Sequence, residues 1–172
     1  MKNLLRFRTV VITGIWLCFA IGFQTSAQTH PDALAAKKEP VMTHASGTFE
    51  VKLTPQTSDG QDATLGRMSI DKQFHGDIEG TSKGEMLTGM TSVKGSAGYV
   101  AMEKVSGTLQ GKHGTFILQH TGTMDRGAPQ LSVTVVPDSG TEELVGLSGK
   151  LTIKIADGKH SYEFEYTLAE QH

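Results

Sequence analysis

Two residues on either side of one turn offer the chain its best chemistry: Glu103 and His120. From residue 99 to 124 apolar and polar side chains alternate, the mark of half-buried strands. Tyr99, Ala101, Glu103, Val105, Leu109, Phe116, Leu118, His120 and Met124 fall on one face. That face is apolar except for Glu103, His120 and the Tyr99 hydroxyl. Lys104, Ser106, Thr108, Gln110, Thr115, Gln119, Thr121 and Thr123 fall on the other, with Val100, Met102 and Ile117 as exceptions. Polar surface goes to water, so Glu103 and His120 point inward. A turn over Gly111–Gly114 sets Gln110 opposite Thr115, Val105 opposite His120 and Glu103 opposite Gly122. Glu103 and His120 are then diagonal neighbours, their β-carbons about 5.5–8 Å apart. A carboxyl and an imidazole in apolar surroundings shift each other's protonation, since desolvation opposes charge and pairing favours it. That combination can make a general acid/base pair. The competing readings are a pair that orients a ligand and a hydrogen bond that satisfies two buried polar groups.

Lys72 is a second polar intruder. It shares a face with Met68, Ile70, Phe74, Ile78, Ser82 and Met86 when residues 75–77 form the turn between two strands. Its stem can lie along the wall near a barrel end with the ammonium reaching water. The alternatives are a partner for a ligand carboxylate and a counter-ion for Glu103. In the last hairpin, Asp157-Gly158 separates two alternating runs. Leu151, Ile153, Ile155, His160, Tyr162, Phe164, Tyr166 and Leu168 share the dry face, with His160 at a rim. The inward residues expected to touch a bound molecule are Lys72, Phe74, Tyr99, Phe116, Leu118, Tyr162 and Tyr166, core packing being the competing role for the tyrosines.

Several chemistries lack their signatures. The seven His residues have no H-x-H or H-E-x-x-H spacing, there is no G-x-S-x-G, and the Gly-rich stretch 139–149 precedes a strand rather than a helix. Asp138, Glu142 and Glu143 match no calcium loop. No metal and no cofactor is expected.

Eight strand-like segments position these residues: 47–54, 66–74, 78–86, 96–109, 115–124, 131–136 and the two arms of the final hairpin. Short turn signals separate most of them. Strands with one apolar face each must hide those faces together, and consecutive hairpins favour an eight-stranded antiparallel barrel over a sandwich. At eight strands the interior holds side chains or one small ligand. Inward glycines at 80, 84, 107 and 122 are expected to permit coiling and leave room.

Residues 1–27 read as a secretory signal peptide. Lys2, Arg6 and Arg8 precede an uncharged, mostly apolar run from Val10 to Phe23, then Thr25-Ser26-Ala27. That run is short of the roughly 20 residues of a membrane span. An uncleaved anchor and a lipid anchor at Cys18 are the alternatives, although Trp16-Leu17 stand where a lipobox takes small residues. Cleavage removes the only Trp and Cys and takes 16 basic residues to 13 against 18 acidic, a net charge of about −5. Without disulfides, stability must come from a packed core. The acidic balance argues against nucleic acid. Residues 28–45 read as a flexible linker and 46–170 as the barrel domain, exported to the periplasm or medium with no stable membrane insertion after cleavage.

Five blocks then stand out: Asp71-Lys72-Gln73-Phe74 with Gly76-Asp77-Ile78-Glu79-Gly80; Gly98-Tyr99-Val100-Ala101-Met102-Glu103; Phe116-Ile117-Leu118-Gln119-His120; Val136 to Leu144 with Gly146-Leu147-Ser148-Gly149; and Asp157 to Tyr162. Together they resemble a bacterial domain-of-unknown-function family with the allene oxide cyclase-like barrel. The resemblance implies an eight-stranded barrel and relatives that bind apolar molecules and trimerise, so a homo-oligomer is one expectation. No residue-by-residue match to the cyclase's catalytic set is found. The resulting expectation is a barrel that binds a small apolar molecule. The alternatives are an isomerase or cyclase using Glu103 and His120, and a structural protein with a packed lumen.

Overall fold

The computed structural model describes residues 41–56 and 64–169. The expected signal peptide, and the expected linker up to residue 40, lie outside them. The described residues form eight antiparallel strands in chain order: β1 (Thr43–Pro55), β2 (Leu65–Gly76), β3 (Ile78–Met90), β4 (Ala97–Leu109), β5 (Lys112–Asp125), β6 (Ala128–Val135), β7 (Ser148–Ala156) and β8 (Lys159–Thr167). Each pairs with the next, and β8 returns to β1, closing the barrel. The expected all-β, eight-stranded antiparallel barrel is therefore the architecture observed. β1 begins at Thr43, where the linker was expected to run on to residue 45. Thr43, His44 and Ala45 instead pair with Tyr166, Glu165 and Phe164.

Three turns explain the register. Gln110-Gly111, Arg126-Gly127 and Asp157-Gly158 each have two residues of positive φ. That is the two-residue turn whose twist matches the flanking strands. Asp157-Gly158 was legible, and Ile155 pairs with His160 as expected. The β4–β5 turn differs. It spans Gln110-Gly111 rather than Gly111–Gly114, so Ala101 faces His120 and Glu103 faces Leu118. Likewise Phe74 pairs with Gly80, two residues on from the expected Ile78. Both displacements are even in residue count, so every side chain keeps its face.

The interior divides in two. In the half enclosed by the β2–β3 and β4–β5 turns, Phe74, Ile78, Leu109, Phe116, Leu118, Leu151, Tyr162, Phe164 and Tyr166 are buried in one cluster. Phe164 stacks between Phe116 and Tyr166, with ring centroids 6.0 and 5.2 Å away. Fully burying such a side chain contributes about 1.5–3 kcal/mol. A short 3-10 helix, Glu142–Leu144, caps this end and buries Leu144; Leu147 just after it is buried too. The connection is tied to β5: Thr115 N–H donates to Thr141 Oγ1 at 2.9 Å, Ile117 N–H to Ser139 Oγ at 3.1 Å and His113 N–H to Glu143 Oε2 at 2.8 Å. These bonds satisfy β5 amides beyond the reach of β6. Gly80 and Gly107 face each other across β3 and β4. A β-carbon on either would lie 2.2 Å from a neighbouring carbonyl oxygen. They draw strands together rather than leave room.

In the other half the lumen is open. β6 and β7 share only the bridge pair Thr134–Lys150, so toward this mouth their edges are not bonded to each other.

Candidate functional site

Four consecutive strands each place one polar side chain inside the barrel: Lys72 from β2, Ser82 from β3, Glu103 from β4 and His120 from β5. These four are the buried polar or charged residues among those described. Alternation sends each inward, and register brings them together. Lys72 faces Ser82, while Gly84 beside Ser82 faces Glu103. His120 faces Ala101, one inward position from Glu103. The diagonal relation expected for Glu103 and His120 therefore holds in the corrected register.

Glu103 is the hub. Its Oε2 lies 2.6 Å from Lys72 Nζ and 3.0 Å from His120 Nε2, and the Ser82 hydroxyl donates to its Oε1. The His120 nitrogen is close enough but does not meet the geometry of a well-formed hydrogen bond. Lys72 Nζ also lies 4.7 Å from the centre of the Phe49 ring and 5.6 Å from that of Phe74, close enough for cation–π attraction. Of the three readings of Lys72, its contacts match the counter-ion for Glu103. Its ammonium does not run out to water, because the side chain is 6 % exposed.

Burial alone would push the Glu103 carboxyl up. The His120 ring, the Lys72 ammonium and the Ser82 hydroxyl outweigh burial and hold it at about 2. Such a carboxyl stays charged at neutral pH and neither gives nor takes protons readily there. The arrangement is suited to fixing side chains in place.

Above this polar floor opens a cavity of about 430 Å3. Phe49, Val51, Ile70, Met86, Leu131 and Ile153 form much of its wall, and Lys72 and His120 reach it from the floor. Tyr99 lies on its side with the ring packed over Gly122, where a β-carbon would sit 2.2 Å from a ring carbon. Burial, with the Glu103 charge adding, pushes the Tyr99 hydroxyl up. Leu53, Met90, Met124 and Ile155 ring the mouth, each more than 40 % exposed.

The expected site residues therefore part company. Glu103, His120 and Lys72 come together, and Lys72, His120 and Tyr99 line the cavity. Phe74, Phe116, Leu118, Tyr162 and Tyr166 do not line it; they are packed into the filled half. The Tyr162 hydroxyl accepts from Ile78 N–H at 2.7 Å, and that of Tyr166 donates to Gln110 Oε1 at 2.8 Å. Sequence reasoning put Ser82 on the inner face without giving it a role. Its place opposite Lys72 comes only with the observed register, two residues on from the expected one. It also missed Phe49, Val51 and Ile70 as cavity wall, because alternation says which residues point inward but not at what depth.

No curated protein matches the chain. Among solved structures it is similar to a protein of unknown function of the DUF3224 family from Shewanella oneidensis MR-1, at 48% identity and a TM-score of 0.72. That match covers 76% of this chain and 100% of the other. Residues 45–166 match the model described as protein of unknown function (DUF3224), and with that span and that relative the chain belongs to the DUF3224 family.

Proposed function

We propose that this protein binds a small apolar molecule in the open half of its barrel. One observation carries the reading: a cavity of about 430 Å3, walled by apolar side chains, whose floor is a fixed polar group. Small-molecule sites have this composition, with much apolar wall and a few placed polar atoms. The unbonded edges of β6 and β7 beside the cavity give a side on which the mouth can widen. The resemblance of the sequence blocks to the allene oxide cyclase-like barrel, whose members hold apolar molecules, supports the same reading. An isomerase or cyclase role for Glu103 and His120 is the weaker reading, because a carboxyl held at about 2 is a poor proton carrier at neutral pH. The leader completes the proposal: the chain is exported and works outside the cytoplasm, and the intact mass of protein from cell fractions checks this.

The binding test uses N-phenyl-1-naphthylamine, a neutral apolar dye that brightens in dry surroundings. The expected result is saturable brightening with the native chain, lost in Ile153→Trp, which fills the cavity. No brightening with the native chain, or equal brightening with the variant, contradicts the reading.

A further inference from the structure

The polar floor restricts what the cavity accepts, given that the cavity is a ligand site as proposed above. Lys72 Nζ carries three N–H donors. Glu103 Oε2 takes one at 2.6 Å, and no other protein acceptor is bonded to Nζ among the described residues. The nitrogen sits beside the Phe49 ring and Lys72 is a lining residue of the cavity, so its remaining donors have no protein oxygen to bind among the described residues. A ligand that enters and displaces water must offer an acceptor there, or leave those donors unmet. The charge of the floor decides which acceptor. Lys72 and Glu103 form one cation and one anion in direct contact, both nearly excluded from water. Their charges cancel. A ligand carboxylate would add a second negative charge beside Glu103 in a medium of low dielectric, and the two buried groups among the described residues that can carry positive charge, Lys72 and His120, already face Glu103. A carbonyl oxygen offers the same lone pairs with no net charge.

We propose that the molecule held in the cup carries a neutral carbonyl oxygen (a ketone, aldehyde or ester) that accepts a hydrogen bond from Lys72, and that carboxylate ions of the same length are disfavoured.

The test displaces N-phenyl-1-naphthylamine from the native chain with 2-nonanone and, separately, with nonanoate at neutral pH. Hydrogen bonds from charged donors make a difference of about tenfold to a hundredfold, so 2-nonanone is expected to displace the dye at a concentration at least about tenfold lower. The infrared carbonyl stretch of bound 2-nonanone is expected below its position in hexane, a measurement on the native chain that needs no variant. The double variant Lys72→Met with Glu103→Met removes both charges together, which buried pairs tolerate better than loss of one. Its affinity for 2-nonanone is expected to fall about tenfold relative to its own affinity for the dye, and an unchanged ratio overturns the proposal. Nonanoate binding as well as the ketone, or a carbonyl stretch matching that in hexane, overturns the proposal and leaves the cavity reading intact. Failure of the dye itself to bind overturns both.

Discussion

The two ends of this barrel are built from the same eight strands with the same alternation, yet one end is solid and the other hollow. In the solid end, Phe116, Phe164, Tyr162 and Tyr166 meet across the lumen, and Leu144 and Leu147 close it from the β6–β7 connection. In the hollow end the inward positions carry Val51, Ile70, Met86 and Ile153, which cover the wall without meeting across the middle. Between the two lies the Lys72–Ser82–Glu103–His120 floor. Alternation makes a barrel, and residue volume at each depth decides whether the barrel is full. The packed core and the open cavity are thereby given to different ends of one sheet.

The largest effect is expected at the boundary. Lys72→Met leaves the Glu103 charge buried without its ammonium and is expected to cost about 3–5 kcal/mol. Lys72→Met with Glu103→Met is expected to recover most of that. Urea denaturation of both variants checks it, and an equal loss in the two would mean that shape rather than charge matters there.

The same boundary gives the fold an acid sensitivity. The Glu103 carboxyl is lowered from 4.5 to about 2 on folding. Its contribution is therefore complete above about 4.5 and is lost as pH falls from there through about 2. The shift corresponds to about 3 kcal/mol. Denaturation midpoints of the native chain and of Lys72→Met with Glu103→Met, followed from pH 6 to 2, are expected to show a steeper loss in the native chain. Parallel curves would contradict this account.

Leu144→Ala in the solid end is expected to cost about 2–3 kcal/mol, at the low side for a buried leucine because the loop that carries it can settle. Ile155→Ser on the rim of the hollow end, where Ile155 is 68% exposed, is expected to change stability by no more than about 0.5 kcal/mol. Thermal unfolding of the pair measures the contrast between ends, and comparable losses would remove it.

Much of the barrel could be read before any coordinates, and particular residues show why. The period of two assigns Glu103, His120, Lys72 and Ser82 to the inner face, and that assignment survives register errors of an even number of residues, two at β2–β3 and four at β4–β5. The turn at Asp157-Gly158 was read correctly because Asp-Gly flanked by alternating runs has one good conformation. Gly111 and Gly114 misled, because Gly114 belongs to β5, opposite Gly107, and makes space for Leu144. Depth was not legible. Whether Phe116 or Ile70 borders the cavity depends on the stagger of non-neighbouring strands and on a 3-10 helix whose burial no alternation announces. That is why the polar pair was found while five of the seven expected ligand contacts proved to be core.

Methyl chemical shifts of the protein titrated with 2-nonanone test the central claim most directly. Binding in the hollow half predicts shifts at Val51, Ile70, Met86 and Ile153, with Leu118 and Leu109 of the solid half nearly still. Shifts confined to Leu87 and Val100 on the outer wall, or spread evenly through both halves, would contradict it.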